Sequence, residues 1–240
     1  MRVEQRLVVA LDFPSAAPAK DLAGRLSGRV GLFKVGMELF YAAGPVVVRE
    51  IAEAGGVFLD LKLHDIPHTV AGAVRSLVPM APAILNVHAS GGLAMMQAAR
   101  EAAGDEAARL GVTPPRLVAV TVLTALDEEA FRQAGFKGTI ADTVLHLAHL
   151  AACAGLDGVV ASAGEAAAIR RELGPGFLII TPGIRPQGAA AGDQRRLFSP
   201  AAAVRAGASH LVVGRPVTAA LDPVRAVQDI LDEMAKAEGN

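Results

Sequence analysis

The chain has 240 residues, of which 52% are hydrophobic and 20% are charged, and its formal net charge is −1. An apolar fraction this high can form a sizeable core, and the chain has a single cysteine, so a disordered protein, a collagen-like repeat and a disulfide scaffold are all excluded. A nucleic-acid surface needs an excess of basic residues, so the balanced charge favours a small substrate over a nucleic acid polymer.

Three features of the sequence predict a cytoplasmic protein that does not enter a membrane. Cys153 lies in the apolar stretch LHLAHLAACAGL, which predicts a buried, unreactive thiol in a reducing compartment. The first residues, MRVEQRLVVALDF, are too acidic and their apolar run too short for a secretory signal. The uncharged stretch between Arg75 and Arg100 is interrupted by Pro79 and Pro82, so it does not predict a transmembrane helix.

A pattern of short β-branched runs, each followed by a longer Ala-rich amphipathic stretch, repeats along the chain. The runs are LVVAL before Asp12, LFKVG at 32–36, VFLDLK at 57–62, ILNVH at 84–88, LVAVTVLT at 117–124, GVVAS at 158–162, FLIITPG at 177–183 and HLVVGR at 210–215. Continuous apolar runs of this length are typical of parallel strands that are buried on both faces. Eight of them, separated by helices, predict an α/β fold, a (β/α)8 TIM barrel, as one domain over residues 1–240.

An open, doubly wound sheet is the alternative fold. It usually has fewer strands and a G-x-G-x-x-G loop after the first strand, where this chain has Asp12-Phe13-Pro14-Ser15. Two helices are clearly delimited: one from Ala16 to Leu26, and one from Ala163 to Leu173 with Ser162 as its N-cap and Gly174 beyond its end.

Polar residues at the ends of the apolar runs are the candidate site residues, because the active site of a TIM barrel lies at the carboxyl ends of its strands. They are Asp12, Lys34, Asp60, Lys62, His88, Thr124 and Arg215. Asp60 and Lys62 are two residues apart, so we expect both to point into the barrel. A purely structural ion-pair network is the alternative, but the open end of a barrel is where perturbed ionisable groups usually serve catalysis.

Lys62 is the expected proton donor. Neighbouring carboxylates favour the charged form of a lysine, so we expect an ammonium that donates a proton or stabilises negative charge, and not a nucleophile. A Schiff-base lyase that uses Lys62 is the alternative.

The sequence around Lys62 resembles the orotidine 5′-phosphate decarboxylase family, whose D-x-K-x-x-D-I-P-x-T signature is matched by Asp60, Lys62, Asp65, Ile66, Pro67 and Thr69. The variable position is His68, where many members have Asn. Further matches are Asp12, Lys34 in FKVG, VHASGG at 87–92, Thr124 in VLTAL, PGIRP at 182–186, Asp193-Gln194-Arg195 and Gly214-Arg215, so that the resemblance covers nearly the whole chain.

The resemblance implies that orotidine 5′-monophosphate is decarboxylated to uridine 5′-monophosphate, the last step of de novo UMP biosynthesis, without metal or organic cofactor. It implies catalysis by Lys62, Asp60, Lys34 and Asp65. It also implies substrate contacts from Asp12, Lys34, Asp60, Ile66, Thr69, Thr124, Pro182, Arg185, Gln194, Gly214 and Arg215. In the family, the residues that match Asp65 and Thr69 reach into the neighbouring subunit's site, so we expect a homodimer.

A phosphate site is expected near the last strand. Barrel enzymes often bind phosphate between the loops after strands 7 and 8 and a helix N-terminus, and Gly214-Arg215-Pro216 has a bare backbone, a cation and a helix start. The Gly- and Ala-rich segment 183–196, which contains Arg185 and Gln194, is expected to close as a lid over the substrate. The alternative for this segment is a solvated loop without function.

Besides the Schiff-base lyase, two other functions remain open from the residues alone. A metal-dependent sugar-phosphate decarboxylase or synthase of the same superfamily would share Asp60-x-Lys62-x-x-Asp65. Independently of that function, His64, His68 and His88 are candidate metal ligands, although the spacing across Pro67 does not favour a shared helical face. A phosphate-ligand sensor on the same barrel is the non-enzymatic alternative.

Overall fold

The computed structural model describes residues 2–186 and 197–238. Its strands are β1 Leu7–Ala10, β2 Leu32–Gly36, β3 Gly56–Leu63, β4 Ile84–His88, β5 Arg116–Val120, β6 Gly158–Val160, β7 Leu178–Thr181 and β8 His210–Val213. All neighbours pair in parallel and in chain order, and β8 pairs with β1 to close the barrel. The predicted (β/α)8 barrel is confirmed, and each strand falls on its expected apolar run.

Helices follow the strands around the outside of the barrel. They are α1 Ala16–Leu26, α2 Met37–Ala43, α3 Val46–Ala52, α4 Pro67–Leu77, α5 Gly92–Leu110, α6 Glu128–Gln133, α7 Ile140–Cys153, α8 Ala163–Leu173, α9 Pro200–Arg205, α10 Arg215–Thr218 and α11 Pro223–Glu238, with 3-10 turns at Val3–Arg6, Val78–Met80 and Ala89–Gly91. The two helices with explicit sequence signals, α1 and α8, have the predicted bounds. The Ser162 hydroxyl accepts a hydrogen bond from the Gly164 amide as the N-cap of α8.

Two apolar layers hold the barrel together. One fills the space between the outer faces of the strands and the helices. The other fills the barrel interior and consists of Val8, Ala10, Leu32, Phe58, Ile84, Val118, Ile180 and Val212. Because side chains alternate along a strand, the inward positions that follow Ala10, Leu32 and Phe58 are those of Asp12, Lys34 and Asp60. The inner apolar layer therefore lies beneath the candidate site.

The prediction that Cys153 is buried is wrong, because the side chain is exposed at the end of α7. The buried face of α7 is formed by Val144, Leu147, Ala148 and Ala151, at the spacing of one helical stripe. Cys153 falls off this stripe, although its neighbours in sequence are apolar. In the two described ranges, 2–186 and 197–238, we find no helix with the length and apolar character needed to cross a bilayer.

Candidate active site

A cavity of about 520 Å³ opens at the carboxyl ends of the strands. Its lining consists of Ala10, Asp12, Lys34, Phe58, Asp60, Lys62, Val120, Val122, Leu123, Thr124, Ala125, Val160, Pro182, Gly183, Arg185, Val212, Gly214 and Arg215. This volume is typical of a small-molecule site, and the mixture of an apolar floor with a few charged groups is what such a site needs.

Four charged side chains of alternating sign form a row of ion pairs along one side of this cavity. The ammonium of Lys34 donates to Asp12 Oδ1 at 2.8 Å and lies 3.4 Å from Asp60 Oδ2. The ammonium of Lys62 donates to Asp60 Oδ1 at 2.7 Å. The structure thus brings together Asp12 after β1, Lys34 on β2, and Asp60 and Lys62 on β3, in the order of charge expected from the sequence.

The two buried side chains of this row, Lys34 and Asp60, remain ionised because their opposite charges stabilise each other. Burial by itself would lower the pKa of Lys34, but the charges of Asp60 and Asp12 outweigh it and raise that pKa above its usual value. Burial would likewise raise the pKa of Asp60, but Lys34, Lys62 and a hydrogen bond from Asn86 hold it below its usual range. Asp60 is therefore a carboxylate held between two cations.

The backbone at Lys62 departs from a regular strand. Its φ is +52°, in the left-handed region that a residue with a Cβ adopts at a cost of about 1–3 kcal/mol. The pairing of β3 with β4 shifts register between Leu59 and Leu63, so the irregularity lies at the candidate catalytic lysine. Simple strand alternation predicted the side on which Lys62 lies but not this conformation.

Asn86 is a residue of the site region that sequence reasoning missed. It is completely buried on β4, its Oδ1 accepts the Lys62 backbone N–H at 2.8 Å, and its Nδ2 donates to Asp60 Oδ1 at 2.7 Å. The available signal was an amide in the middle of the apolar run ILNVH, because a buried polar side chain in a strand requires hydrogen-bond partners.

A second set of cavity-lining residues follows β7 and β8. Pro182 and Arg185 follow β7, Gly214 follows β8, and Arg215 begins α10; all four line the cavity. The backbone N–H of Arg185 donates to the carbonyl of Phe198 at 2.9 Å, and Phe198 lies beyond the end of the segment 183–196. Gln194 and the rest of 187–196 lie outside the described residues.

Asp65, Ile66 and Thr69 do not line the cavity of their own chain. They lie on the loop after β3 and in the first turn of α4, and all three are exposed. Asp65 Oδ1 accepts the backbone N–H of Ile66 at 2.6 Å, and Ile66 is 66% exposed. An apolar side chain this exposed, next to an outward carboxylate, is available to a neighbouring molecule.

The histidines weighed as metal ligands lie beside the site. The His64 and His88 rings are 5.2 Å apart, and His68 lies in α4. Burial lowers the pKa of His88, with further lowering by His64 and Lys62, against the opposite effect of Asp60. Within residues 2–186 and 197–238, no three His, Cys, Asp or Glu side chains form a group that could hold a metal ion.

Comparison with known proteins finds one enzyme family that matches most of the chain. Residues 5–230 match the model of the Orotidine 5′-phosphate decarboxylase / HUMPS family. The chain is 54% identical over 236 residues to the orotidine 5′-phosphate decarboxylase of Moorella thermoacetica, with 98% of this chain and 94% of that protein covered. It is 50% identical to the protein of the same name from Rhodospirillum rubrum, with 94% and 92% covered.

Solved structures agree with these sequence matches. The crystal structure of orotidine 5′-phosphate decarboxylase from Lactobacillus acidophilus superposes with a TM-score of 0.83 at 35% identity, and the match covers 95% of this chain and 98% of that one. An uncharacterized conserved protein from Geobacillus kaustophilus superposes with a TM-score of 0.82 at 39% identity, covering 95% and 99%. The likeness therefore extends over essentially the whole barrel.

Proposed function

The chain belongs to the Orotidine 5′-phosphate decarboxylase / HUMPS family, and we propose that it is the carboxy-lyase that converts orotidine 5′-monophosphate to uridine 5′-monophosphate and CO2, with Lys62 as proton donor. The reaction is the last step of de novo UMP biosynthesis. The observation that carries this proposal is the row of ion pairs, alternating in charge, in a substrate-sized cavity. Its members are Asp12, Lys34, Asp60 and Lys62.

The chemistry breaks the bond between C6 of the pyrimidine ring and its carboxylate. CO2 leaves and the electron pair stays on C6, where no ring carbonyl delocalises it. The Lys62 ammonium stabilises the developing charge and then transfers its proton to C6, forming the C–H bond of the product. After product release, the Lys62 amine regains a proton from water.

A fixed ammonium suits this step better than a mobile one. The Lys62 ammonium is held by Asp60 at 2.7 Å, so it needs little reorganisation when negative charge develops. Asp60 is itself ionised and faces the position of the departing carboxylate, while Lys34 and Asp12 bind the ribose hydroxyls. The contacts that run from Asp12 through Lys34 and Asp60 to Lys62 support this division of roles.

The phosphate is bound by the residues that follow β7 and β8. Arg215 and Arg185 supply cationic donors, and Gly214 allows the ligand to approach the backbone. Thr124 and Pro182 contact the base. Binding of the phosphate, remote from C6, supplies free energy that can be used at the reacting ring.

The active form is a cytoplasmic homodimer in which Asp65 and Thr69 complete the partner's site. Their exposure and their absence from the lining of their own cavity support this arrangement. Tyr41 and Ile66, which are 73% and 66% exposed, provide apolar surface that a second copy covers.

A mixture of two inactive variants tests the shared site. Lys62→Ala and Asp65→Ala place their defects on opposite sides of the proposed interface, so a mixed dimer contains one intact site. Random exchange of subunits should therefore restore about a quarter of the wild-type activity, because half of the dimers are mixed and each has one working site. Each variant alone is the control. A mixture with no activity after proven subunit exchange contradicts the shared site.

Turnover of orotidine 5′-monophosphate by the purified protein is the direct test of the activity. The loss of the substrate's absorbance is followed before and after exhaustive chelation, with the untreated protein as control. We expect equal rates in both samples. No absorbance change overturns the decarboxylase assignment, whereas activity lost on chelation and restored by magnesium favours the metal-dependent member of the superfamily.

A further inference from the structure

We propose that Asn86 is a positioning residue, which fixes both Asp60 and the backbone of Lys62 through the two ends of its side-chain amide. The inference rests on the proposed function, since it assigns the geometry of the proton donor to a residue outside the cavity. Asn86 does not line the cavity, so it acts on the reaction through the two residues it holds.

The hydrogen bonds close a ring around the reacting groups. Asn86 Oδ1 accepts a hydrogen bond from the Lys62 backbone N–H, and Asn86 Nδ2 donates to Asp60 Oδ1. Asp60 Oδ1 also accepts a hydrogen bond from the Lys62 ammonium. A backbone N–H needs an acceptor and a carboxylate needs a donor, so only one orientation of the amide satisfies both. Neither a carboxylate nor an apolar side chain at this position makes both bonds at neutral pH.

The unusual backbone of Lys62 explains why such a residue is needed. A glycine would adopt φ +52° without strain, but the reaction needs the lysine side chain. The register of β3 on β4 shifts at this point, and the Asn86 side chain takes the place of a backbone acceptor for the Lys62 N–H. The amide thereby stabilises a conformation that directs the ammonium towards Asp60.

The cost of burying Asn86 supports a role beyond packing. The residue is 0% exposed, on a strand whose neighbouring inward position is occupied by Ile84. A buried amide is unfavourable unless its hydrogen bonds are made, and an aliphatic residue would fill the same space without that requirement. The two bonds that satisfy the amide go to the proposed catalytic residues.

Two substitutions of Asn86 and one matched control test the inference. Asn86→Ala removes both bonds, and Asn86→Asp keeps the acceptor for the Lys62 N–H but loses the donor to Asp60 while its carboxyl group is ionised. Val118→Ala is the control, because Val118 is fully buried, pairs in register with Asn86 on β5, and does not line the cavity.

We expect Asn86→Ala to lower kcat by on the order of 10²-fold while KM changes less than about threefold, because the bond lost to Asp60 is one to a charged group. Val118→Ala should lower the melting temperature by a few degrees and leave kcat near the wild-type value. Exchange of the Lys62 amide hydrogen should accelerate in Asn86→Ala and stay slow in Val118→Ala. This last readout does not depend on turnover.

The pH profile of Asn86→Asp adds a readout that a packing defect does not produce. When protonated, the new carboxyl group donates to Asp60 as the amide does, and when ionised it repels Asp60. Its kcat relative to wild type should therefore rise as the pH is lowered, whereas the relative kcat of Val118→Ala stays flat. If Asn86→Ala fails to fold, this profile and amide exchange in Asn86→Asp decide the question.

Separate outcomes overturn the inference and the function. Wild-type turnover with an unchanged kcat in Asn86→Ala, or with parallel losses of kcat in Asn86→Ala and Val118→Ala, overturns the positioning role. A flat relative pH profile for Asn86→Asp does so as well. No turnover by the wild-type protein overturns the decarboxylase assignment, and amide exchange at Lys62 then still reports whether Asn86 holds the backbone.

Discussion

Buried ionisable groups are charged at one end of the barrel and neutral at the other. At the carboxyl ends of the strands, Lys34 and Asp60 are buried with opposite charges within 3.4 Å of one another, and both remain charged. At the amino ends, His210 is 7% exposed in a cleft of about 400 Å³, with Arg6 and Arg116 as its charged neighbours. Burial and these two cations lower the pKa of His210 to about 4.

The difference shows that arrangement, and not burial alone, decides whether an interior charge is kept. Alternating signs compensate the loss of hydration at the carboxyl end, so charge is available there for binding and proton transfer. The His210 imidazole instead has the cations Arg6 and Arg116 as its charged neighbours, so it is neutral at physiological pH. The carboxyl end is thus suited to chemistry, and the amino end to stability.

The largest expected effect comes from removing the proton donor at the carboxyl end. Lys62→Ala should lower kcat by at least about 10⁴-fold, because it removes both proton transfer and the cation that stabilises the carbanion. Binding of uridine 5′-monophosphate, measured by calorimetry, should remain within about tenfold of wild type, since Arg215 and Asp12 are retained. Lys20→Ala, at a surface pair with Glu50, is the control and should leave both quantities unchanged.

Residual turnover close to wild type in Lys62→Ala would remove the lysine from the mechanism. Equal losses of turnover and nucleotide binding would instead indicate that the substitution disrupts the whole site.

A second prediction concerns the stability of the amino end. Between about pH 4 and 6.5 the His210 imidazole is protonated in the unfolded chain but neutral in the folded one. The free energy of unfolding should therefore decrease by about 3 kcal/mol as the pH falls from 7 to 4 because of this group alone. His210→Gln should reduce this pH dependence, as measured by urea unfolding at several pH values.

His146→Gln is the matched control for the amino end. His146 is exposed on α7, so its replacement is a surface substitution that controls for the exchange of histidine for glutamine itself. If the two variants have the same pH dependence as wild type, buried neutral His210 is not a source of acid lability and the contrast between the two ends is wrong.

A third prediction separates binding from chemistry within the carboxyl end. Arg215→Ala should raise the KM for orotidine 5′-monophosphate by about 30-fold with a smaller change in kcat, because a charged hydrogen bond to phosphate contributes about 2 kcal/mol. Steady-state kinetics measures both constants. Arg225→Ala, on α11 with its ion pair to Asp229, is the control with no expected effect. A fall in kcat alone would place Arg215 in the chemical step.

The smallest expected effect tests how closely the charges are packed. A Cβ added at Gly36 would lie 2.8 Å from the Lys34 ammonium and 3.1 Å from Asp12 Oδ1. Because the Gly36 φ of −90° is open to any residue, Gly36→Ala should act only by displacing these groups. We expect kcat/KM to fall by about tenfold, or about 1.4 kcal/mol, without loss of thermal stability.

Gly24→Ala provides the control for this substitution. A Cβ at Gly24 has no described atom within 4 Å, and the residue lies inside α1, so the change should stabilise the protein by about 0.5–1 kcal/mol with full activity. Unchanged kinetics in Gly36→Ala would show that the Lys34–Asp12 pair tolerates displacement.

Much of the site could be predicted from the sequence because it follows the periodicity of strands. Asp12, Lys34 and Asp60 stand two residues after inward apolar positions, so alternation alone places them at one end of the barrel. Alternation also places Lys62 on the correct side of β3, but it does not predict the positive φ of this residue. It does not indicate the role of Asn86 either, because the hydrogen-bond partners of Asn86 come from another strand. The prediction that Cys153 is buried failed for a different reason, because apolar neighbours in sequence do not specify which side of a helix a residue occupies.

The sequence by itself determined the barrel, the strand ends that carry the charges, and the family resemblance, because these depend on patterns repeated within each local segment. Only the tertiary structure decided which charges pair, that Asp60 stays ionised between Lys34 and Lys62, and that His210 is neutral at physiological pH. Pairing and ionisation depend on distances between groups that are far apart in sequence, and closure of the barrel sets those distances.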